Sequence, residues 1–286
     1  MSAVFALSAR WPAALAVSFE RLSRRATTSG APGEAFGLAL YRGQRATILR
    51  EPVMAARASL SSRLKSKPPV SALFVGHVRQ AESGPGGDGN VQPFDRTLGG
   101  RQHVFAMPRQ PLPLRLRPSL DTGAHRPQGG SPAEQAFCAL LHRLEVIWRD
   151  DAPAPEVEAR FSCVASFVTE LNHHAPASFL YGDGDVLFVY AAGGDTSGDG
   201  MYLHRQFDRV TAGAEQIGLS VAGESQDITL VSSFPIDPNG ATRCRPGDLL
   251  AVQDGVPVMR QAIAATGQSP AYEGVTLAAW PVSIGK

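Results

Sequence analysis

Two amphipathic helical segments lie near the middle of the chain, and segments typical of β-strands both precede and follow them. The first helix has Ser131 as its N-cap, Pro132 in its first turn and Glu134 three residues after the cap, which predicts a capping box. The second is predicted over 156–173, where apolar residues recur at helical spacing. An order of strands, two helices and strands again favours two stacked sheets with helices outside, an α+β layered domain.

The strand predictions rest on apolar runs and on alternation. Residues 2–7 predict a short buried strand, and residues 70–78, apolar almost throughout, predict a central one. A helix is predicted over 13–25 from three apolar residues at spacings of four and three. The other predicted strands are 36–41, 46–49, 103–107, 178–181, 186–191, 201–204, 228–232, 248–253 and 258–262. Because no repeat or linker is visible, residues 1–286 are expected to form a single domain.

The charge balance excludes several classes of protein. The 286 residues carry 27 Lys and Arg against 26 Asp and Glu, a net charge of +1, whereas nucleic-acid binders usually have a clear basic excess. Lysines are rare among the basic residues, a bias typical of GC-rich bacterial genomes. No apolar run approaches the roughly 18 residues that cross a membrane. We therefore expect a cytoplasmic protein without a nucleic-acid or membrane partner.

The cysteines and histidines form no disulfide or metal pattern. The cysteines are odd in number and far apart: Cys138, Cys163 and Cys244. His173 and His174 are neighbours on a predicted helix and point in different directions, so that with His204 they do not predict a metal site. The glycine-rich segment 84–87 lacks the lysine and the following helix of a phosphate-binding loop. We expect no metal and no cofactor.

Several short motifs occur in order along the chain. They include Gly-His-Val-Arg-Gln-Ala at 76–81, Asn-Val-Gln-Pro-Phe at 90–94 and Glu-Gln-Ala-Phe at 134–137. Further matches lie at 34–41, 98–101, 104–106 and 232–236. Together they resemble the class II glutamine amidotransferases, whose nucleophile is N-terminal, and in particular the short stand-alone members. The resemblance implies a four-layer αββα sandwich that binds glutamine at the free end of its first strand and hydrolyses the amide.

The resemblance also implies a set of catalytic groups. These are a nucleophile at residue 2 that uses its own α-amine as base, a His-Asn-Gly turn that stabilises the oxyanion, and an Asp that binds the substrate ammonium. An Arg binds the substrate carboxylate. In place of the first three this chain has Ser2, the turn Met107-Pro108-Arg109 and Pro132. Only the carboxylate-binding residue is retained, as Arg79.

Three functions are compatible with this pattern. The first is a catalytically degenerate member that acts as a binding or scaffolding subunit beside a synthase or an active amidotransferase. The second is an amide hydrolase that uses Ser2, after removal of Met1, on a substrate other than glutamine. The third is a sensor in which Arg79 binds a small carboxylate without turnover. Arg79 is equally compatible with a buried ion pair, and His77 on the same strand is interpreted as a packing residue.

Overall fold

The structure is a computed structural model that describes residues 2–17, 22, 35–51, 64, 66–79, 90–108, 120–150, 152–174, 176–192, 200–205, 219–222, 225–236 and 240–264. In chain order the elements are β1 (Ala3–Val17), β2 (Ala35–Arg42), β3 (Arg45–Glu51), β4 (Val70–Arg79), β5 (Phe94–Leu98), β6 (Arg101–Ala106), α1 (Pro132–Leu144), α2 (Val157–His174), β7 (Phe179–Gly182), β8 (Val186–Tyr190), β9 (Tyr202–Arg205), β10 (Leu219–Ala222), β11 (Ile228–Ser232), β12 (Ala241–Arg243), β13 (Asp248–Gln253) and β14 (Val256–Ala262).

The described strands form two antiparallel sheets. The first sheet has the order β12-β9-β11-β1-β4-β2-β3, with β10 paired beside the far end of β1. The second has the order β14-β13-β8-β7-β6-β5. The N-terminal half of β1 lies between β4 and β11, so it is central in its sheet, which agrees with its almost complete burial. Within the described residues, no helix is long and apolar enough to span a bilayer.

Three apolar clusters separate the layers. One fills the space between the sheets and includes Val4 and Ala6 of β1, because alternate residues of a strand point to opposite faces. The second joins α1 and α2 to the outer face of the second sheet. The third covers the outer face of the first sheet, where Phe5 packs in one cluster with Leu22 and Leu64, both in helical conformation. These layers confirm the predicted α+β fold, an αββα sandwich.

The helix predicted over 13–25 is wrong for residues 13–17, which continue β1. Residues 14–17 pair with β10, and Ala13 and Ala14 pair with the start of β4. The pairing between β1 and β4 shifts register between Ser8 and Ala13, with three exposed residues between them. Such an irregularity interrupts the strict alternation of a strand, which explains why the local spacing looked helical. Residues 18–21 and 23–25 lie outside the described residues.

Candidate functional site

The candidate site lies at the end of the first sheet where β1 begins. The antiparallel register pairs Ala3 with Val78, and the next step along both strands brings Ser2 beside Arg79. Arg79 is 8% exposed and shares its face of β4 with Val75, which points toward the second sheet. The fold therefore places the two predicted site residues, Ser2 and Arg79, at one end of one sheet.

His77 lies one alternation before Arg79, on the same face of β4, and is also buried. Burial, with a further contribution from the positive charge of Arg79, lowers the pKa of His77 to about 3. Its imidazole is therefore neutral at physiological pH. Nε2 of the ring lies 3.4 Å from the side-chain amide nitrogen of Gln92, which can only donate, so this ring nitrogen accepts.

The side chain of Gln92 holds the main chain at the end of β6. Its Oε1 accepts a hydrogen bond from the Met107 N–H at 2.7 Å, and its Nε2 donates to the Met107 carbonyl at 3.4 Å. Gly37 makes this position possible, because a Cβ at residue 37 would lie 2.2 Å from the Gln92 carbonyl oxygen. We call this pair of hydrogen bonds the Gln92 clamp.

The clamp occupies the turn in which the resemblance predicts the oxyanion donors. Met107 and Pro108 are both buried directly after β6. The N–H of Met107 is already donated to Gln92, and Pro108 has no N–H to offer. Arg109 lies outside the described residues. Neither of the two described turn positions therefore has a main-chain N–H free to stabilise an oxyanion.

The start of α1 carries neither the ammonium-binding carboxylate that the resemblance implies nor the capping box that the sequence predicts. Pro132, at the position of the ammonium-binding Asp, is a buried first helical residue without a charge. Ser131 is the N-cap, as predicted, but its side chain makes no capping hydrogen bond. The predicted capping box is therefore wrong, and the reason is the direction taken by Glu134.

Glu134 is almost fully buried and accepts hydrogen bonds from the chain that precedes α1. Its two carboxylate oxygens accept the N–H groups of Gln128 and Gly129 at 2.9 Å and 2.7 Å, and one oxygen also pairs with Arg96. Because these three donors already satisfy the carboxylate, it does not bind the main chain of the N-cap residue. Glu134 thus fixes the segment that leads into the helix.

The thiols of the chain contribute no reactive group here. Burial raises the pKa of Cys138 to about 11 and that of Cys244 to about 12, so both stay protonated at neutral pH. Cys163, which is partly exposed on α2, is also a free thiol with a raised pKa caused by burial. Among the residues with described positions, no group of three or more His, Cys, Asp or Glu could hold a metal ion.

Two residues that shape this end of the molecule were missed by the sequence reasoning. Gln92 entered only as part of the Asn-Val-Gln-Pro-Phe motif, and Glu134 only as half of a capping box. Gln92 binds Met107, which is 15 residues away in sequence, and Glu134 binds Arg96, which is 38 residues away. The motif position of Gln92 was the one signal that could have drawn attention to it.

Comparison with known proteins gives one family. A family model described as glutamine amidotransferases class-II matches residues 1–275. YafJ of Escherichia coli (strain K12), named as a glutamine amidotransferase, is 30% identical over 192 residues, which cover 67% of this chain and 73% of that protein. A protein of Haemophilus influenzae named in the same way is 23% identical over 192 residues, covering 67% of this chain and 63% of its own length.

Solved structures extend the likeness over most of the chain. A Pseudomonas aeruginosa PA01 protein named as a glutamine amidotransferase superposes with a TM-score of 0.60 and 24% identity, covering 89% of this chain and 98% of that one. Glutamine phosphoribosylpyrophosphate amidotransferase from B. subtilis gives a TM-score of 0.54 and 16% identity, covering 91% of this chain and 49% of that one. At these identities the likeness shows the fold alone.

Proposed function

The chain belongs to the class II glutamine amidotransferases, and from this premise we propose that it is a catalytically degenerate member without glutaminase turnover. In this proposal it serves as a binding or scaffolding subunit of a biosynthetic system, beside a synthase or an active amidotransferase. The chain retains the αββα framework, with residue 2 at the start of β1. The nucleophile, the oxyanion turn and the ammonium-binding Asp of the family are replaced by other residues.

The Gln92 clamp is the observation that carries this proposal. Hydrolysis of an amide needs donors aimed at the developing oxyanion, and loss of one such donor costs on the order of 10²–10³ in turnover. Here the Met107 N–H is used by Gln92 and Pro108 supplies none. The hydroxyl of Ser2 is also a much weaker nucleophile than a thiolate and depends more strongly on a base. The missing oxyanion donors and the weaker nucleophile both slow the same step, the attack on the amide carbonyl.

Glutamine hydrolysis tests the proposal directly. Ammonia release from glutamine by the wild-type protein is expected to equal that of Ser2→Ala, because neither Met107 nor Pro108 has a main-chain N–H free for the oxyanion. The single variant Ser2→Cys is expected to remain inactive for the same reason. Intact mass spectrometry of each protein shows whether Met1 has been removed, which any mechanism through Ser2 requires.

A panel of other amides serves as the control for the competing hypothesis. An active N-terminal-serine hydrolase with a different substrate would release product from at least one amide of the panel, and Ser2→Ala would abolish that release. Such a result would overturn the proposal of a degenerate member. Equal background rates for wild type and variant with every substrate are the result that we expect.

Carboxylate binding at Arg79 is a second candidate function. The guanidinium is buried at the end of the sheet beside Ser2, where a planar cation can bind a carboxylate with two parallel hydrogen bonds in a medium of low dielectric. A subunit of this kind would bind its ligand without turnover. This candidate rests on the burial of Arg79 and on its position beside the first residue of the sheet.

A thermal-shift screen of amino acids and dipeptides tests the second candidate. A ligand present at a hundred times its Kd is expected to stabilise the wild type by about 2.7 kcal/mol, and this shift should disappear in Arg79→Gln. Arg42→Gln, which changes an exposed arginine on β2, is the matched control and should keep the shift. A shift of equal size in Arg79→Gln, or none with any ligand of the screen, would contradict carboxylate binding at this residue.

A further inference from the structure

A cavity of ≈ 300 Å³ lies where β3, β5 and the start of α1 meet. Its charged and polar lining residues are Arg50, Asp95, Arg96, Thr97, Gln128 and Glu134. Thr97 and Gln128 are exposed, so the cavity opens to solvent. Its volume is at the lower end of the range of small-molecule sites, roughly 300–1,000 Å³. We call it the arginine cavity, because two guanidinium groups line it.

The guanidinium of Arg50 is held in place through one of its three nitrogens. Nη2 donates to the Pro93 carbonyl and to Asp95 Oδ1, both at 2.7 Å. The N–H groups on Nε and Nη1 meet no acceptor within the described part of the chain. Because the side chain lines the cavity and is 34% exposed, a ligand can reach these donors.

Arg96 is also anchored by acceptors of the protein. Its Nη1 donates to the Asp95 carbonyl at 2.7 Å, and its Nη2 pairs with Glu134 and lies 3.5 Å from the Arg126 carbonyl. Among the residues with described positions, its Nε has no acceptor. Since both guanidiniums are already fixed, their remaining donors are pre-organised, which lowers the entropic cost of binding a ligand.

The two carboxylates of the cavity, in contrast, accept a hydrogen bond at each of their oxygens. Asp95 Oδ1 is bound by Arg50, and Asp95 Oδ2 lies 3.2 Å from the Gln102 side-chain nitrogen that donates to it. Both oxygens of Glu134 accept the main-chain N–H groups that fix the segment before α1. The charged groups of the cavity therefore leave donors unused and no carboxylate oxygen unbound. This imbalance favours a ligand rich in acceptors.

We propose that the arginine cavity binds the phosphoryl group of a small molecule through Arg50 and Arg96. An ionised phosphoryl group presents three strong acceptor oxygens, which two separate guanidiniums can share. Asp95 and Glu134 balance the two positive charges, so the site relies on directed hydrogen bonds more than on an excess of charge. It does not involve Ser2 or Arg79, and its test is therefore separate from that of the proposed function.

Other classes of ligand match the arginine cavity less well. A carboxylate has two oxygens in one plane, which fill the planar fork of one guanidinium and leave the donors of the second unused. An uncharged amide or alcohol brings N–H or O–H donors of its own, and both carboxylates of the cavity are already occupied. A phosphoryl dianion has acceptors only, so it meets neither difficulty.

Thermal unfolding with inorganic phosphate as the probe tests the proposal, against sodium chloride at equal ionic strength. Wild-type Tm is expected to rise saturably at low millimolar phosphate, which distinguishes binding from the general stabilisation by concentrated phosphate. Arg50→Gln removes the unused donors of this guanidinium and should weaken the apparent Kd for phosphate by about tenfold or more. Arg45→Gln, which changes an exposed arginine on the same strand, is the matched control and should keep the wild-type Kd.

Arg50→Lys is the second variant, because it keeps a positive charge beside Asp95 but lacks the planar fork, and it should also bind phosphate more weakly than the wild type. Circular dichroism verifies the fold of each variant. Tighter binding of glycerol phosphate than of inorganic phosphate would identify a phosphate monoester as the ligand, and the reverse order would identify free phosphate. No saturable shift with either probe, an unchanged Kd in Arg50→Gln, or equally strong binding of acetate would overturn the proposal.

Discussion

Replacing Arg160 with leucine is expected to lower the free energy of unfolding by about 3–5 kcal/mol, because it leaves a buried carboxylate without its cation. Arg160 of α2 is almost fully buried and donates to Asp183 Oδ2 at 3.0 Å and to Asp185 Oδ2 at 2.8 Å. Asp183 is fully buried, and its second oxygen accepts the N–H of Val186 at 2.9 Å. Urea unfolding of the wild type and the variant at neutral pH measures the difference.

An exposed ion pair provides the control for this prediction. Arg10 and Asp227 are 3.9 Å apart and about half exposed, so Arg10→Leu should change stability by less than about 1 kcal/mol. The double variant Arg160→Leu with Asp183→Asn should recover part of the loss, because it removes the uncompensated charge. If Arg160→Leu proved as mild as Arg10→Leu, the pairing with Asp183 would not be a major source of stability.

Alanine at Gly76 is expected to destabilise the protein by about 1–3 kcal/mol through overpacking. Gly76 lies on β4 directly opposite Phe5 of β1, and a Cβ there would be 2.1 Å from the tip of the Phe5 ring. The ring is completely buried, so it has no space into which to move. Thermal unfolding of the variant should show a lower Tm.

Two further variants show whether the contact with Phe5 is the cause. Gly182→Ala should be tolerated, since its Cβ would lie no closer than 3.4 Å to its neighbours, an ordinary van der Waals contact. Adding Phe5→Leu to Gly76→Ala should recover stability relative to the sum of the single changes, because the smaller side chain leaves room for the methyl group. Strict additivity of the two changes would show that the clash is not the source of the loss.

The layered fold was predictable because its central elements carry a complete local pattern. β11 and β13 have the predicted bounds, and α1 begins at the predicted proline. The strands that escaped prediction, β5, β10 and β12, are three to five residues long and are defined by the strands beside them. Short segments of this kind carry too few residues for a period to be visible.

The site was predictable only where a residue type recurs at a motif position. Arg79 was identified in this way, whereas Ser2 was identified by its position as residue 2 alone. The register places the two together, while their roles and the single-domain organisation of 1–286 stay predictions. The contacts of Gln92 and Glu134 were not predictable, because hydrogen bonds between distant segments leave no periodic trace in the sequence. A glutamate three residues after a serine gives the same sequence pattern whether its carboxylate caps the helix or accepts hydrogen bonds from distant residues.

The Gln92 clamp has a consequence for how such a chain can evolve. The amide of Gln92 recognises residue 107 through its main chain alone, so the bonds need no particular side chain there, provided that the residue is not proline. Proline at residue 108 removes an N–H that the clamp does not use. Most side-chain substitutions in this turn therefore leave its anchoring intact. Under the proposed function, selection for binding alone is enough to maintain this architecture, with no selection for turnover.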